Sequence, residues 1–153
     1  MENKNTVKDL NGNGMKNNYQ IFVDGSCRAN GNGGIGIVWL KNEKKILDYS
    51  KGFKNVTNNK MELTAIYIAL KSISRPIDSL EIISDSEYSI GVITKPWNPK
   101  KNIELIDKIK KQLIETQKLV KEPIKWTHTK GHSDNIWNNY VDKLATNESS
   151  MIL

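Results

Sequence analysis

Residues 19–36 read YQIFVDGSCRANGNGGIG. Tyr19, Ile21 and Val23 alternate with Gln20, Phe22 and Asp24, the two-residue period of a strand with two distinct faces. The alternation then gives way to Asp24-Gly25-Ser26 and to a loop carrying Gly31, Gly33 and Gly34, before a second apolar run. A carboxylate at the mouth of a central strand, beside a loop whose glycines let backbone approach closely, suits a metal-dependent phosphate site. Asp-Gly is also an ordinary turn signal, so this stretch alone leaves both readings open.

Outward from it, strands are expected at about 34–41 and 45–53, joined by Asn42-Glu43-Lys44 into an antiparallel meander. Thr57-Asn58-Asn59 starts a helix running to about Ser74, and Arg75-Pro76-Ile77-Asp78 ends it. A strand at 79–84 leads to a short helix that begins near Asp85 and fades by Lys95. Beyond the two-proline connector Lys95–Lys100, a longer helix over about 101–119 carries the stripe Ile103, Ile106, Ile109, Leu113 and Ile114. A strand at 123–128, the loop Thr129-Lys130-Gly131-His132-Ser133 and a helix from about Asp134 to Asn147 complete the chain. The order βββαβααβα implies an α/β fold, a five-stranded mixed sheet flanked by helices. Residues 1–18, rich in Asn, Lys and Gly, read as a flexible tail, 19–148 as one domain, and 149–153 as a short C-terminal tail.

The 153 residues suffice for one domain with a sizeable core, and the net charge is +6. Between Lys95 and Lys125 nine lysines face Glu104, Asp107, Glu115 and Glu122, so most of the excess sits in one segment. A phosphate backbone is one partner for such a segment; a solvated lysine-rich helix face is the other reading. Cys27 is the one cysteine, so no internal disulfide forms, in keeping with a reducing cytoplasm. The N-terminus lacks the apolar segment of a signal peptide, and no stretch approaches the length of a membrane-spanning helix.

Helical periodicity separates ordinary acids from anomalous ones. Glu62 projects inside the stripe of Ala65, Ile66, Ala69 and Ile73, a costly place for a charge without compensation. The competing reading is a capping box, in which Glu62 reaches back to the Asn59 N–H. Asp85 ends a strand and could equally cap the helix that follows. On the last helix Ile136, Trp137, Tyr140, Val141, Leu144 and Ala145 form the expected buried stripe. Asp142 lies outside it on the face of Asn138, and by periodicity alone is a solvated residue. His132, after a glycine in a polar loop, is either an ordinary surface residue or a proton carrier beside a site. Asp24 and Asp85, each ending a strand, can share one sheet edge. Four acids meeting there would repel strongly unless two Mg²⁺ balanced them, and such a pair hydrolyses phosphodiesters.

The motifs together resemble type 1 ribonuclease H, the endonuclease that cuts the RNA strand of RNA–DNA hybrids. They are DGSCRANGNGG at 24–34, TNNKMEL at 57–63, SDSEY at 84–88, and KGH with the later NNYVDKLA ending at 145. The resemblance implies a ribonuclease H-like fold, with Asp24, Glu62, Asp85 and Asp142 as metal-binding acids for two Mg²⁺, or Mn²⁺ in their place. His132 would assist proton transfer or product departure. Asn30, Asn58 and Glu87 would read 2′-hydroxyls in the minor groove, as separates RNA from DNA. Thr57 would hold a phosphate of the DNA strand, and Asn138 would sit beside Asp142 at the scissile site. Gly25, Ser26, Asn59 and Trp97 complete the implied substrate contacts.

Two departures stand out. Many bacterial members carry an extra helix and basic handle where this chain has only Lys95 to Lys101. Trp97 with Lys100 and Lys101 is then either a reduced substitute, stacking on a sugar and neutralising phosphates, or a cover for the end of the sheet. Glu87 stands where the family often has glutamine, an added charge near the nucleic-acid backbone. With no amino-terminal hybrid-binding module in so short a tail, binding is expected to be weak, salt-sensitive and distributive. The expectation is therefore a cytoplasmic, monomeric endoribonuclease. The alternatives are a catalytically silent hybrid-binding module, or a same-fold nuclease domain of a reverse transcriptase or mobile element.

Overall fold

The computed structural model describes residues 16–130 and 135–152. His132 lies outside the described residues, as does nearly all of the expected 1–18 tail. The elements are β1 (Asn18–Cys27), β2 (Gly33–Lys41), β3 (Lys44–Phe53), α1 (Asn58–Lys71), β4 (Ser79–Ser84), α2 (Glu87–Thr94), α3 (Ile103–Gln117), β5 (Lys125–His128) and α4 (Ile136–Met151). The expected order holds throughout.

One sheet of order β3-β2-β1-β4-β5 carries the molecule. The β1–β2 and β2–β3 pairs are antiparallel, and the β1–β4 and β4–β5 pairs are parallel. Alternate side chains of β1 feed opposite cores. Ile21 and Val23 join Met61, Leu63 and Ile66 of α1, Val92 of α2 and Ile106 of α3 in the larger core. Phe22 faces the other way, with Val38, Leu40 and Ile83, against Val141 of α4. Three helices therefore cover one face and α4 covers the other. With both faces occupied, β2 is buried from Gly33 to Leu40 and reads as an unbroken apolar run rather than an alternating one. No helix among the described residues is long and apolar enough to cross a membrane.

Several local expectations are corrected. β1 does not end at Asp24: it pairs with β2 through Gly25↔Ile35 to Cys27↔Gly33, because the Asp-Gly pair sits in a ladder rather than a turn. The N-cap of α1 is Thr57, whose hydroxyl accepts from the Lys60 N–H at 3.2 Å, so the Asn59–Glu62 capping box does not form. Ser86, not Asp85, caps α2 and accepts from the Ser89 N–H at 3.1 Å. On α3 the stripe narrows to Ile106 and Ile109, with Ile103 and Ile114 exposed. On α4 Ile136 is exposed whereas Asn138 is buried, since the helix rests on the sheet through Val141, Ala145 and Ser149. That helix also runs on to Met151.

Candidate active site

The register of two parallel strands brings the first two acids together. The β1–β4 ladder stops at Val23↔Ser84, so the residues that follow, Asp24 still paired to β2 and Asp85 just past the end of β4, stand side by side. Asp24 continues the β1 face that carries Phe22, the face toward α4.

Two glycines admit the helices that bring the other acids. A Cβ on Gly25 would lie 2.5 Å from the Met61 carbonyl carbon and closer still to the Glu62 backbone nitrogen. The first turn of α1 therefore rests directly on β1, which drives Glu62 against Asp24. On the opposite face Gly36, the β2 partner of Asp24, lies beneath α4. A Cβ there would strike the Val141 carbonyl oxygen and approach the Leu144 Cβ to 2.8 Å. Val141 is the residue before Asp142, so this close approach sets the fourth acid over the first.

Oxygens of Asp24, Glu62 and Asp85 lie within 4.8 Å of one another. Asp24 and Glu62 are buried and Asp85 half-buried, whereas Asp142 is exposed. Burial first, and then the neighbouring Asp85 charge, pushes the Asp24 carboxyl up to about 8. Hydrogen bonding to Asp142 and its like charge add to that rise, which places Asp142 at the cluster although its own surface faces water. Burial lifts Glu62 well above the ordinary range, with the charges of Asp24 and Asp85 adding to it. Asp85 is raised too, again chiefly by burial. Glu62 Oε2 is buried without a hydrogen-bond partner among the described residues, an arrangement that costs roughly 1–3 kcal/mol. The sequence explains where Glu62 points; the capping alternative would have satisfied its oxygens, and it is absent.

An orphaned carboxylate oxygen, raised acids and an all-oxygen donor set fit a hard divalent cation such as Mg²⁺ or Mn²⁺. The residues that could hold it are Asp24, Glu62 and Asp85, with Asp142 at the open side.

The remaining expected residues surround this cluster. Asn30 is exposed, and its side-chain oxygen already accepts from the Asn32 N–H at 2.9 Å, so its amide NH₂ is the group left to face outward. The Thr57 hydroxyl accepts within its cap and keeps its proton for an acceptor outside. Asn58, Asn59 and Glu87 are exposed on the first turns of α1 and α2, and Ser26 is half-buried at the end of β1. Trp97 packs its ring against Gly91 of α2 yet remains 44% exposed, with Lys95 Nζ 5.2 Å from the ring centroid. It borders a cleft of about 360 Å³ shared with Asn59, Tyr88, Val92, Lys100 and Lys101. A larger cleft of about 670 Å³ includes Asn18, Gln20, Ser79 and Glu81. It lies at the opposite end of the strands, away from the acids, as expected where a duplex needs an open surface and not a pocket.

Asn138 departs from the solvated position expected of it. It is 4% exposed and accepts from the Thr129 hydroxyl at 3.1 Å. Two neighbours were invisible to periodicity. One is Gly36, whose role depends on which helix covers β2. The other is His128, whose Nε2 lies 3.1 Å from the backbone oxygen of Asp85. Only the Ser84↔His128 register reveals that proximity.

Comparisons with known proteins point to one family. The family model described as RNase H matches residues 16–150. A ribonuclease H of Clostridium botulinum is 38% identical over 143 residues, covering 82% of this chain and 91% of that protein. One from Caldanaerobacter subterraneus subsp. tengcongensis is 39% identical over 147 residues, covering 88% and 94%. A third, from Actinobacillus pleuropneumoniae, is 39% identical over 142 residues, covering 82% and 86%.

Proposed function

The chain belongs to the ribonuclease H family, and from that premise we propose that it hydrolyses the RNA strand of RNA–DNA hybrids by a two-metal-ion mechanism. The products are 5′-phosphate and 3′-hydroxyl ends, and the protein acts as a cytoplasmic monomer built on a single domain. The observation that carries this reading is the acid cluster: three carboxylates within 4.8 Å, one of them with a buried oxygen that none of the described residues satisfies.

Divalent ions at such a site activate a water and stabilise the departing oxygen. The side chains do the rest. Asp24 and Asp85, adjacent through the strand register, present paired oxygens toward the scissile phosphate. Glu62 holds an inner oxygen that solvent cannot reach, so its charge is available to a cation and to little else. Asp142 closes the cluster from the solvent side, where a substrate phosphate would arrive. His132 assists proton transfer or product departure.

Recognition follows from the rim. The Asn30 amide donates to a ribose 2′-hydroxyl, with Asn58 and Glu87 along the same strand. Ser26 and Asn59 line the approach with Gly25 beneath them, Asn138 stands beside Asp142 at the scissile site, and the free proton of Thr57 binds a DNA-strand phosphate. Trp97, with Lys100 and Lys101, stands in for the missing handle.

Incubating the protein with labelled RNA–DNA hybrid, double-stranded RNA and duplex DNA, with and without EDTA, tests the reading. Cleavage confined to the hybrid and stopped by EDTA is expected. Cutting that survives EDTA, or that ignores the hybrid, overturns it. Asp24→Asn should abolish cleavage while hybrid binding remains measurable, and a fully active Asp24→Asn protein removes Asp24 from the site.

A further inference from the structure

Among the described residues β5 is the shortest strand, four residues long, and its end lies beside Asp85 and, one residue on, reaches the helix that carries Asp142. It pairs in parallel with β4, and its last rung is Ser84↔His128, one residue short of Asp85. The ladder is prolonged by the Thr129 N–H, which donates to the Ser84 carbonyl at 2.9 Å. From there two consecutive side chains diverge, as strand geometry requires. His128 reaches the Asp85 carbonyl at 3.1 Å. Because a carbonyl only accepts, the imidazole nitrogen there is the N–H donor. Thr129 points the other way and donates to Asn138 on α4 at 3.1 Å. Asn138 lies one turn before Asp142 on the same helical face.

Asp85 has particular need of such a tie. It follows the last residue of β4 and precedes Ser86, the cap of α2, so neither ladder nor helix holds its backbone. The Ser84 hydroxyl, which accepts from the Ser86 N–H at 3.0 Å, fixes the turn from within. His128 fixes it from outside.

We infer that His128 and Thr129 are positioning residues that set the separation between the sheet acids and the acid of α4, and so tune divalent-cation affinity. This rests on the reading of Asp24, Glu62, Asp85 and Asp142 as metal ligands. Groups that orient ligands in this way change metal affinity by about 10–100-fold when removed. His128→Phe keeps a flat ring and deletes the donor; His128→Gln restores an N–H. Thr129→Val deletes the other donor; Thr129→Ser restores it.

The test is a Mg²⁺ titration of hybrid cleavage, with Ca²⁺ titrated by calorimetry as a readout that needs no turnover. His128→Phe and Thr129→Val should each raise the half-saturating Mg²⁺ concentration and the Ca²⁺ dissociation constant about 10-fold, with KM for hybrid within twofold of the parent. The Gln and Ser variants should return to within about threefold of the parent. Unchanged cation affinity in folded His128→Phe and Thr129→Val proteins overturns the inference. So does an equal loss in the Gln and Ser variants, because the effect would then be general destabilisation. If Asp24→Asn eliminates cleavage while these variants bind cations normally, the brace fails and the nuclease reading stands. If Asp24→Asn is fully active, the reading itself fails.

Discussion

The helices on the two faces of the sheet each bring one acid to the same pair of strand acids, and they do so under opposite conditions. On α1, Glu62 is 5% exposed, close against β1 over Gly25, with one oxygen left without a partner among the described residues. On α4, Asp142 is exposed and reaches Asp24 from the solvent side, its helix close against β2 over Gly36. The inner acid is fixed by the core around it and has nowhere to relax. The outer acid is fixed only by where its helix lies. A metal site built this way has a rigid floor and an adjustable wall, and substrate enters past the wall.

The difference can be broken or sharpened by substitution. Of the two helix-borne acids, Glu62 should matter more to turnover: Glu62→Gln should lower it about 1000-fold or more, corresponding to about 4 kcal/mol of transition-state stabilisation. The same variant should melt higher than the parent without metal at pH 8, since it removes a carboxyl that must take up a proton to be buried. Single-turnover cleavage and calorimetric melting check both arms. Asp142→Asn should cost less, about 10–100-fold in cleavage at limiting Mg²⁺, with the metal-free melting temperature unchanged. Equal losses for the two variants would erase the distinction between floor and wall.

The glycines come next. Gly25→Ala and Gly36→Ala should each destabilise by about 1–3 kcal/mol, the usual range for overpacking, measured by urea unfolding. The Gly36→Ala protein should lose Mg²⁺ affinity through Asp142 while Glu62 stays buried. Unaltered Mg²⁺ affinity in that variant would separate α4 placement from the cation site.

The smallest effect is on pH. Asp24, Glu62 and Asp85 hold protons in the folded state at pH values where the unfolded chain has lost them. Stability from these groups is therefore full below the ordinary carboxylate range and declines as pH rises through about 8, the value reached by Asp24. Metal-free protein should lose at least about 3 °C in melting temperature between pH 5 and pH 8.5. Saturating Mg²⁺ should flatten that slope and Glu62→Gln should reduce it, whereas Asp142→Asn should leave most of it. A metal-free melting temperature that rises over this range contradicts the buried, protonated cluster.

The order of elements was legible because strand alternation and helical stripes are strong over most of the chain. Glu62 was legible as a violation: a carboxylate inside an apolar stripe. Asp142 was not, because an exposed acid on an exposed face obeys periodicity, and only the resemblance carried by NNYVDKLA singled it out. Asp24 was placed correctly beside Asp85 but for an incomplete reason, since β1 runs on past it to pair with β2. Ile136 and Asn138 exchanged their expected burial because helix periodicity gives a face without saying how the helix tilts on the sheet. His128 could not be found until β4 and β5 had a register.

Trp97 has a practical consequence. Of the four tryptophans, Trp39 is buried and Trp126 and Trp137 are half-covered, leaving the indole on Gly91 the most open. Its emission is thus the part of the intrinsic fluorescence most responsive to anything that settles on the 95–101 connector. The protein carries its own optical gauge of whether a duplex extends that far, and no dye has to be attached to read it.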